Sequence, residues 1–355
     1  MGTYGESNLR IFCEDLLVSV GMNREHAIVV VDSLVKANLE GVDSHGISRL
    51  PIYVKRFNDQ RINVNPAIKL TETTPSVLLV DGDNGLGHVV SYQAILKGTE
   101  MAKQSGMTAI AIKNSNHFGT AAYFCQLACE QNLACIGFTN SPPGIAPWGG
   151  KHAFFGTNPI AFGFPTGNEQ PVIIDLSTSI VARGKIILAA KQGNPIPDGW
   201  AIDEAGFPTN DAKAALRGSV LPLGGAKGAA LALAVEILTG ILTGAAFGPY
   251  VKNIYDEAES GGANVGHFFL LLDIEKFMHL STFFESLEHL LTEMKEVPKA
   301  PGTTEIRYPG ERRKRDREQR RSAGIDLSSS IEEELIRLGE EYNVPFPLPL
   351  SLEKI

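Results

Sequence analysis

The sequence has no apolar run long enough to span a bilayer, no Cys-x-x-Cys pair, no Gly-x-Gly-x-x-Gly fingerprint, no Walker phosphate loop and no basic excess. Each absence removes a class of protein. With Glu6 and no continuous apolar core near the N-terminus, neither a membrane span nor a secretory signal is expected, and a cytoplasmic address follows by default. A formal charge of −8 argues against a general nucleic-acid binder or a binder of anionic membranes. Cys13, Cys125, Cys129 and Cys135 lack paired Cys/His spacing, so they read as reduced packing residues, with no metal and no disulfide expected.

What is present is a soluble globular composition, 43% hydrophobic and 20% charged over 355 residues, enough for a large core and more than one domain. The densest chemistry lies between Glu40 and Tyr53, where Ser44, His45, Arg49 and Tyr53 bring a hydroxyl, an imidazole, a guanidinium and a phenol together. A histidine titrates near neutrality, and an arginine fork grips a carboxylate through two parallel hydrogen bonds. The pairing suits a small organic acid. The same residues also allow a plainer reading: Asp43-Ser44 as a helix cap, Gly46 as a turn, and Pro51, Ile52 and Tyr53 as a packed segment.

Apolar spacing predicts helices over 7–20 and from Arg24, capped by Asn23, to Leu39, with a third starting near Ser48 and carrying Arg49 and Tyr53. Strands are expected at 67–72 and 76–82. The glycine-rich turn from Asp81 to His88 then leads into a helix reaching Gln104. That turn invites a dinucleotide reading but lacks the fingerprint spacing, and His88 reads as a loop or packing residue. A buried-type strand at 107–113 empties into Asn114-Ser115-Asn116-His117-Phe118-Gly119, the kind of strand-end loop where ligands collect. His117 is thus the second histidine with a chemical claim; a strand-end imidazole bonded to backbone is the alternative.

Further strands are expected at 133–139 and 171–175, with Ser141 in a long Pro/Gly loop after the first and Asp175-Leu176-Ser177 closing the second before a helix to Lys191. Residues 194–210 read as irregular surface, and Gly225-Ala226-Lys227-Gly228 as the start of an apolar core helix to Leu242, with a lysine where a phosphate is favoured. Val265 to Ile274 reads as a strand and 281–296 as an amphipathic helix, while His267, His279 and His289 read as packing or surface residues. The mixed-charge run Arg312–Arg321 reads as a solvated helix face, with no interleaved aromatics to suggest nucleic acid, and Pro345–Pro349 as an extended tail.

Asp43-Ser44-His45-Gly46-x-x-Arg49-x-x-x-Tyr53 after a helix resembles the signature of the malate/L-lactate/sulfolactate dehydrogenase family, which is distinct from the Rossmann-type lactate and malate dehydrogenases. The resemblance continues through Asn114–Gly119, Gly156–Pro159, Asp175–Ser179, Gly225–Gly228 and Pro309–Glu311, so it covers nearly the whole chain in order. It implies hydride transfer between a nicotinamide cofactor and a small 2-hydroxy acid. It also implies an extended cofactor on a non-Rossmann α/β scaffold and a homodimer with the site near the subunit boundary.

Under that resemblance, His117 is expected as the base at the reacting oxygen, with His45 orienting or polarising it and Arg49 clamping the carboxylate. The family allows the principal acid–base at either histidine. Ser44 and Tyr53 would hydrogen-bond the substrate or the histidine. Ser141, Asp175, Leu176, Ser177, Lys227, Pro309, Gly310 and Glu311 match positions that touch the cofactor. Glu311 favours NAD, while its neighbours Arg312 and Arg313 leave NADP open.

The alternatives on the same frame are ureidoglycolate dehydrogenase, diketogulonate reductase and cyclic-imine carboxylate reductase. From another class, a catalytically silent binding protein is weighed against the retention of both histidines and Lys227. The expected fold is α/β, a non-Rossmann mixed central sheet with flanking helices and an N-terminal helical region. Expected divisions are 1–65 for the helical region with the His45/Arg49 motif, 66–310 for the cofactor- and substrate-binding core, and 311–355 for a C-terminal helical segment and tail. The expected partner is a small carboxylate, with neither nucleic acid nor membrane.

Overall fold

Residues 2–168, 170–256 and 261–351 are described by a computed structural model of the chain. Strand β1 (Gly2–Tyr4) leads into α1 (Glu6–Ser19), which buries Leu9, Phe12, Cys13, Leu16 and Leu17, and Gly21 ends it with φ +100°. Helix α2 (Arg24–Leu39) starts as its cap predicts, with the Asn23 side chain accepting from the His26 N–H at 2.8 Å. The third helix differs from expectation. Residues 43–45 and 47–49 form two short 3-10 turns separated by an extended Gly46, and α3 (Leu50–Asn58) begins only after Arg49.

Strands β2 (Lys69–Thr74) and β3 (Val77–Asp81) form a hairpin, and α4 (Gly87–Ser105) returns the chain to β4 (Met107–Ser115). Helix α5 (Ala121–Cys129) is followed by β5 (Leu133–Thr139), β6 (Ile160–Phe164), β7 (Val172–Leu176) and α6 (Arg183–Gln192). The next segment is more ordered than its composition suggests. Strands β8 (Ala201–Ile202) and β9 (Pro208–Thr209), helix α7 (Ala212–Arg217) and strand β10 (Ser219–Val220) build a small three-stranded sheet with its own apolar cluster. Strands of two residues leave no alternation to read.

Helix α8 (Ala226–Glu236) continues as a π-helical turn through Ile241, so the helix reaches its expected end, but it is not a core helix all round. Gly228, Ala229, Ala232, Val235 and Glu236 are buried, whereas Leu231, Leu233, Ile237, Ile241 and Leu242 remain half-exposed. Strand β11 (Val265–Asp273), amphipathic helix α9 (Leu280–Glu296), α10 (Glu311–Ala323), β12 (Ile325–Leu327) and α11 (Ser329–Glu341) complete the described chain.

The seven-stranded sheet runs β2-β3-β4-β11-β5-β6-β7. Its one parallel pair among the described residues is β3 with β4, the pair joined by a crossover helix. This is a mixed α/β sheet, not a doubly wound Rossmann sheet. The late strand β11 lies between β4 and β5, pairing antiparallel with both, and so carries a distant part of the chain to the centre. One core lies under this sheet, including Phe124, Phe269 and Leu271; a second joins α1, α2 and α3 to β12 and α11. Phe346 in the extended tail packs edge-on against Tyr4 and Phe12.

All four cysteines are buried free thiols. No described helix is long and apolar enough to cross a membrane. The basic run is not simply a solvated face. On α10, Arg313 pairs with Glu40 and Asp175, Arg317 with Glu40, and Arg320 with Asp43, while Arg312 and Arg321 face outward. The three inward arginines follow helical spacing and fasten α2 and the turn after it to β7.

Candidate active site

The two 3-10 turns after α2 are tied by Asn38, whose Oδ1 accepts from the Ile47 N–H at 2.8 Å and whose Nδ2 donates to Asp43 at 2.7 Å. Gly46 must be glycine, because a Cβ there would lie 2.1 Å from Asn38 Oδ1. The turn delivers His45 and Arg49 to one place without a continuous helix. Arg49 Nε donates to the Ser44 carbonyl at 2.6 Å, its guanidinium lies 5.6 Å from the Tyr255 ring centroid, and Ser44 Oγ meets His45 Nδ1 at 3.0 Å.

His117 arrives from the other side, at the exit of β4. Buried Asn116 donates to the carbonyls of Asn84 and Gly85, and the Gly87 N–H donates to the His117 carbonyl at 3.1 Å. The glycine-rich turn therefore spends backbone N–H groups on bracing the strand exit rather than on a phosphate. The Tyr53 hydroxyl lies 2.6 Å from His117 Nδ1, and the Gly119 N–H donates to the same nitrogen at 3.4 Å. His45 stacks on His117 at 5.6 Å between centroids.

These groups open on one cavity of about 200 Å³. Its walls are His45, Arg49 and His117, then Phe118 and Gly119, then Asn140, Ser141 and Thr157, and finally Lys252–Tyr255 before β11. No carboxylate is among these lining residues. Burial, reinforced by Arg49 and Arg313, pushes the His45 pKa down to about 4. Burial also holds His117 well below the usual imidazole value, with His45 and Arg49 adding to the effect. Both shifts favour the neutral ring. Burial raises the Tyr53 phenol, so it remains an un-ionised hydrogen-bonding group.

Four of the five expected catalytic positions thus converge directly, and Ser44 joins through His45 and Arg49. The expected cofactor residues lie along a connected path leading away. Ser141 Oγ accepts from the Thr157 N–H at 3.0 Å, the Thr157 carbonyl from the Thr178 N–H at 2.9 Å, and the Thr178 carbonyl from the Leu223 N–H at 2.9 Å. Ser177 precedes Thr178, and Lys227 sits exposed in the first turn of α8, just beyond Leu223. Leu176 is also partly exposed. Gly310, with φ +95°, packs so close to Ile173 that a Cβ would stand 3.1 Å from its backbone nitrogen, and places Pro309 and Glu311 beside β7. The Asp175 carboxylate is spent inside the protein, on Arg313 at 2.9 Å and the Ala122 N–H at 3.3 Å.

The groups beyond the cavity suit the phosphates of a dinucleotide. The α8 start presents N–H groups and the Lys227 charge to an anion, and buried Glu311 Oε2 has no hydrogen-bond partner among the described residues. Sequence reasoning missed Lys252, Asn253 and Tyr255. Their one signal is position, since they lead toward the buried strand β11, whose place beside β4 no local pattern reveals. His267 is the packing residue expected: fully buried, bonded to Thr139 Oγ1 and Ser115 Oγ, and stacked on Phe118 at 4.5 Å. His88 is buried against Tyr53 at 5.6 Å between centroids, and His279 and His289 are exposed.

Two histidines, an arginine and a lysine line one cavity beside a mixed sheet, an arrangement suited to an NAD(P)-dependent dehydrogenase acting on CH–OH donors. Comparison with known proteins agrees. Residues 5–336 match the malate/L-lactate dehydrogenase family model, and the chain belongs to that family. It is 38% identical to the malate dehydrogenase of Pyrococcus horikoshii over 94% of this chain and 93% of that one. It is 39% identical to a (2R)-3-sulfolactate dehydrogenase (NADP(+)) of Chromohalobacter salexigens over 90% of this chain and 92% of the other. The solved sulfolactate dehydrogenase of Methanocaldococcus jannaschii superposes with a TM-score of 0.91 at 37% identity, covering 98% of both chains. The chain is accordingly a nicotinamide-dependent 2-hydroxyacid dehydrogenase of the malate/sulfolactate type.

Proposed function

We propose that this enzyme interconverts a small 2-hydroxy acid bearing a second anionic group with its 2-oxo acid, and that His117 is the acid–base at the C2 oxygen. The observation that carries this reading is the pairing of His117 with Tyr53 at 2.6 Å, in a cavity that Arg49 and Lys252 also line. Arg49 offers a fork to the C1 carboxylate, and Lys252 a point charge to the distal anion. The Tyr53 phenol and, more distantly, the Gly119 N–H meet His117 Nδ1, which leaves Nε2 for the substrate. In oxidation neutral His117, its Nδ1–H turned to the Tyr53 oxygen and its Nε2 lone pair free, takes the hydroxyl proton and becomes imidazolium. In reduction the imidazolium, formed by uptake of a solvent proton, returns the Nε2 proton to the C2 oxygen and His117 ends neutral. The nicotinamide supplies the hydride donor or acceptor. His45, stacked on His117 and fixed by Ser44, orients that ring and polarises the reacting oxygen.

For the cofactor, the reading is NAD. Glu311 places an acid at the start of α10 that disfavours a 2′-phosphate, and Arg313, one candidate to accept such a phosphate, is turned inward onto Glu40 and Asp175. Relatives use NAD(+) or NADP(+), so the test is the ratio of kcat/KM for the two; a preference for NADP would overturn this part. A second copy of the chain is the proposed occupant of the half-exposed leucines and isoleucines of α8 and its extension, a larger apolar surface than scattered residues leave. Sedimentation as a monomer at assay concentrations would exclude it.

The experiment for the activity presents NADH or NADPH with oxaloacetate, sulfopyruvate, pyruvate, diketogulonate, oxalurate and a cyclic imine acid, following loss of reduced nicotinamide absorbance. Turnover led by oxaloacetate or sulfopyruvate supports the dianion reading. Preference for a monoanion moves the alternatives on the same frame forward, and silence from folded protein moves the binding-protein reading forward.

A further inference from the structure

Glu236, the last residue of α8, is 4% exposed, yet its carboxylate faces three N–H donors rather than a cation. Oε1 accepts from the Gly248 N–H at 2.7 Å and from Asn140 Nδ2 at 3.2 Å; Oε2 accepts from Asn158 Nδ2 at 2.6 Å. A buried carboxylate is costly unless its oxygens are satisfied, so this one holds its donors in fixed places. The donors come from three separate loops.

Each loop ends at a different wall of the active site. Asn140 lines the cavity beside Ser141, and its Oδ1 accepts from the Gly266 N–H at 3.0 Å, which ties the end of β5 to the start of β11. Asn158 takes the left-handed conformation with φ +35° and stands between Thr157 and Pro159, both cavity residues. Thr157 in turn meets Ser141 and Thr178, on the path read as the cofactor's. Gly248 begins the segment that reaches Lys252–Tyr255. The helix bearing Glu236 carries Lys227 at its other end.

We infer that Glu236 is a positioning residue for hydride transfer, setting the cofactor wall at Ser141 and Thr157 and the substrate wall at 252–255 relative to one another. The inference rests on the dehydrogenase reading of the cavity. Its two oxygens divide the work: Oε2 holds the cofactor side through Asn158, and Oε1 holds the substrate side through Gly248 and Asn140. Misplacement by about 1 Å costs roughly 100-fold in a reaction that depends on alignment, so loosening either side is readable in rates.

Glu236→Gln keeps an acceptor for Gly248 and presents an NH2 to Asn158, so it separates the two sides. The expected result is a KM for NADH raised about tenfold and a KM for the 2-oxo acid raised less than threefold, with the pH profile unmoved. Glu236→Ala is expected to raise both. NADH binding, read by nicotinamide fluorescence on protein shown folded by circular dichroism, gives the same answer without the acid. If E236Q does not fold, Asn158→Gly, which tolerates the left-handed backbone, breaks the same Oε2 contact and carries the test. Variants whose kcat and KM values both stay within twofold of wild type, or whose lost activity follows only the lost folded fraction, overturn the inference. Wild-type protein that binds no reduced nicotinamide overturns the dehydrogenase reading and the inference with it.

Discussion

The guanidinium of Arg320 holds the Asp43 carboxylate through two bonds, Nη1 to Oδ1 at 2.6 Å and Nη2 to Oδ2 at 3.0 Å, joining α10 to the turn that carries His45. Asp43 is partly exposed, so the pair is worth about 1 kcal/mol rather than the value of a buried bridge. Its larger effect falls on the turn. Arg320→Gln is predicted to lower stability by about 1 kcal/mol and kcat/KM by roughly tenfold, and Arg320→Lys, lacking the fork, is predicted to restore less than half of either loss. Urea unfolding and steady-state kinetics check both.

Acid should weaken the fold in a defined window. Burial lowers His45 to about 4 and His88 and His267 to about 3, against an unfolded value of 6.5. Between those values the unfolded chain binds protons that the folded chain refuses, so stability rises with pH across the window. The stability is full above pH 6.5 and is lost as pH falls toward 3. Melting temperature should be flat from pH 7 to 8 and drop steadily below 6.5. His88 has no hydrogen-bond partner among the described residues, so His88→Leu should make that drop shallower without a matching loss at pH 8. An unchanged acid slope would contradict the assignment.

Arg49→Lys removes a two-pronged contact while keeping the charge. The KM for the acid is predicted to rise about 10–100-fold with a smaller change in kcat, because the carboxylate is held equally before and during reaction. Lys252→Met is predicted to raise the KM for oxaloacetate more than that for pyruvate. Equal effects on the two acids, measured by the same absorbance assay, would remove the second anion site.

The parts legible in the sequence were those that local spacing controls. The Asn23 cap, the strand emptying into His117, and the closeness of Ser44, His45, Arg49 and Tyr53 needed only neighbouring residues. Gly46 altered the geometry but not the outcome, since two short turns delivered His45 and Arg49 where one helix was expected. What stayed hidden depends on pairing across the chain. Nothing local tells that β11 enters between β4 and β5, so the Lys252–Tyr255 wall was missed with it. The inward arginines of α10 look like any solvated run until Glu40, Asp43 and Asp175 are seen opposite them. Glu236 sits in an apolar helix, and two of its three donors, Asn140 and Asn158, come from loops far away in sequence.

The central claim is that His117, backed by Tyr53, moves the proton while His45 orients it. The most direct measurement is single-turnover oxidation of bound NADH by the preferred 2-oxo acid in His117→Gln and His45→Gln, each shown to bind NADH. The account predicts a loss of about 10²–10⁴-fold for His117→Gln and a smaller loss, with weaker acid binding, for His45→Gln. A His117→Gln rate within tenfold of wild type beside a collapsed His45→Gln rate would contradict it and give the proton to His45.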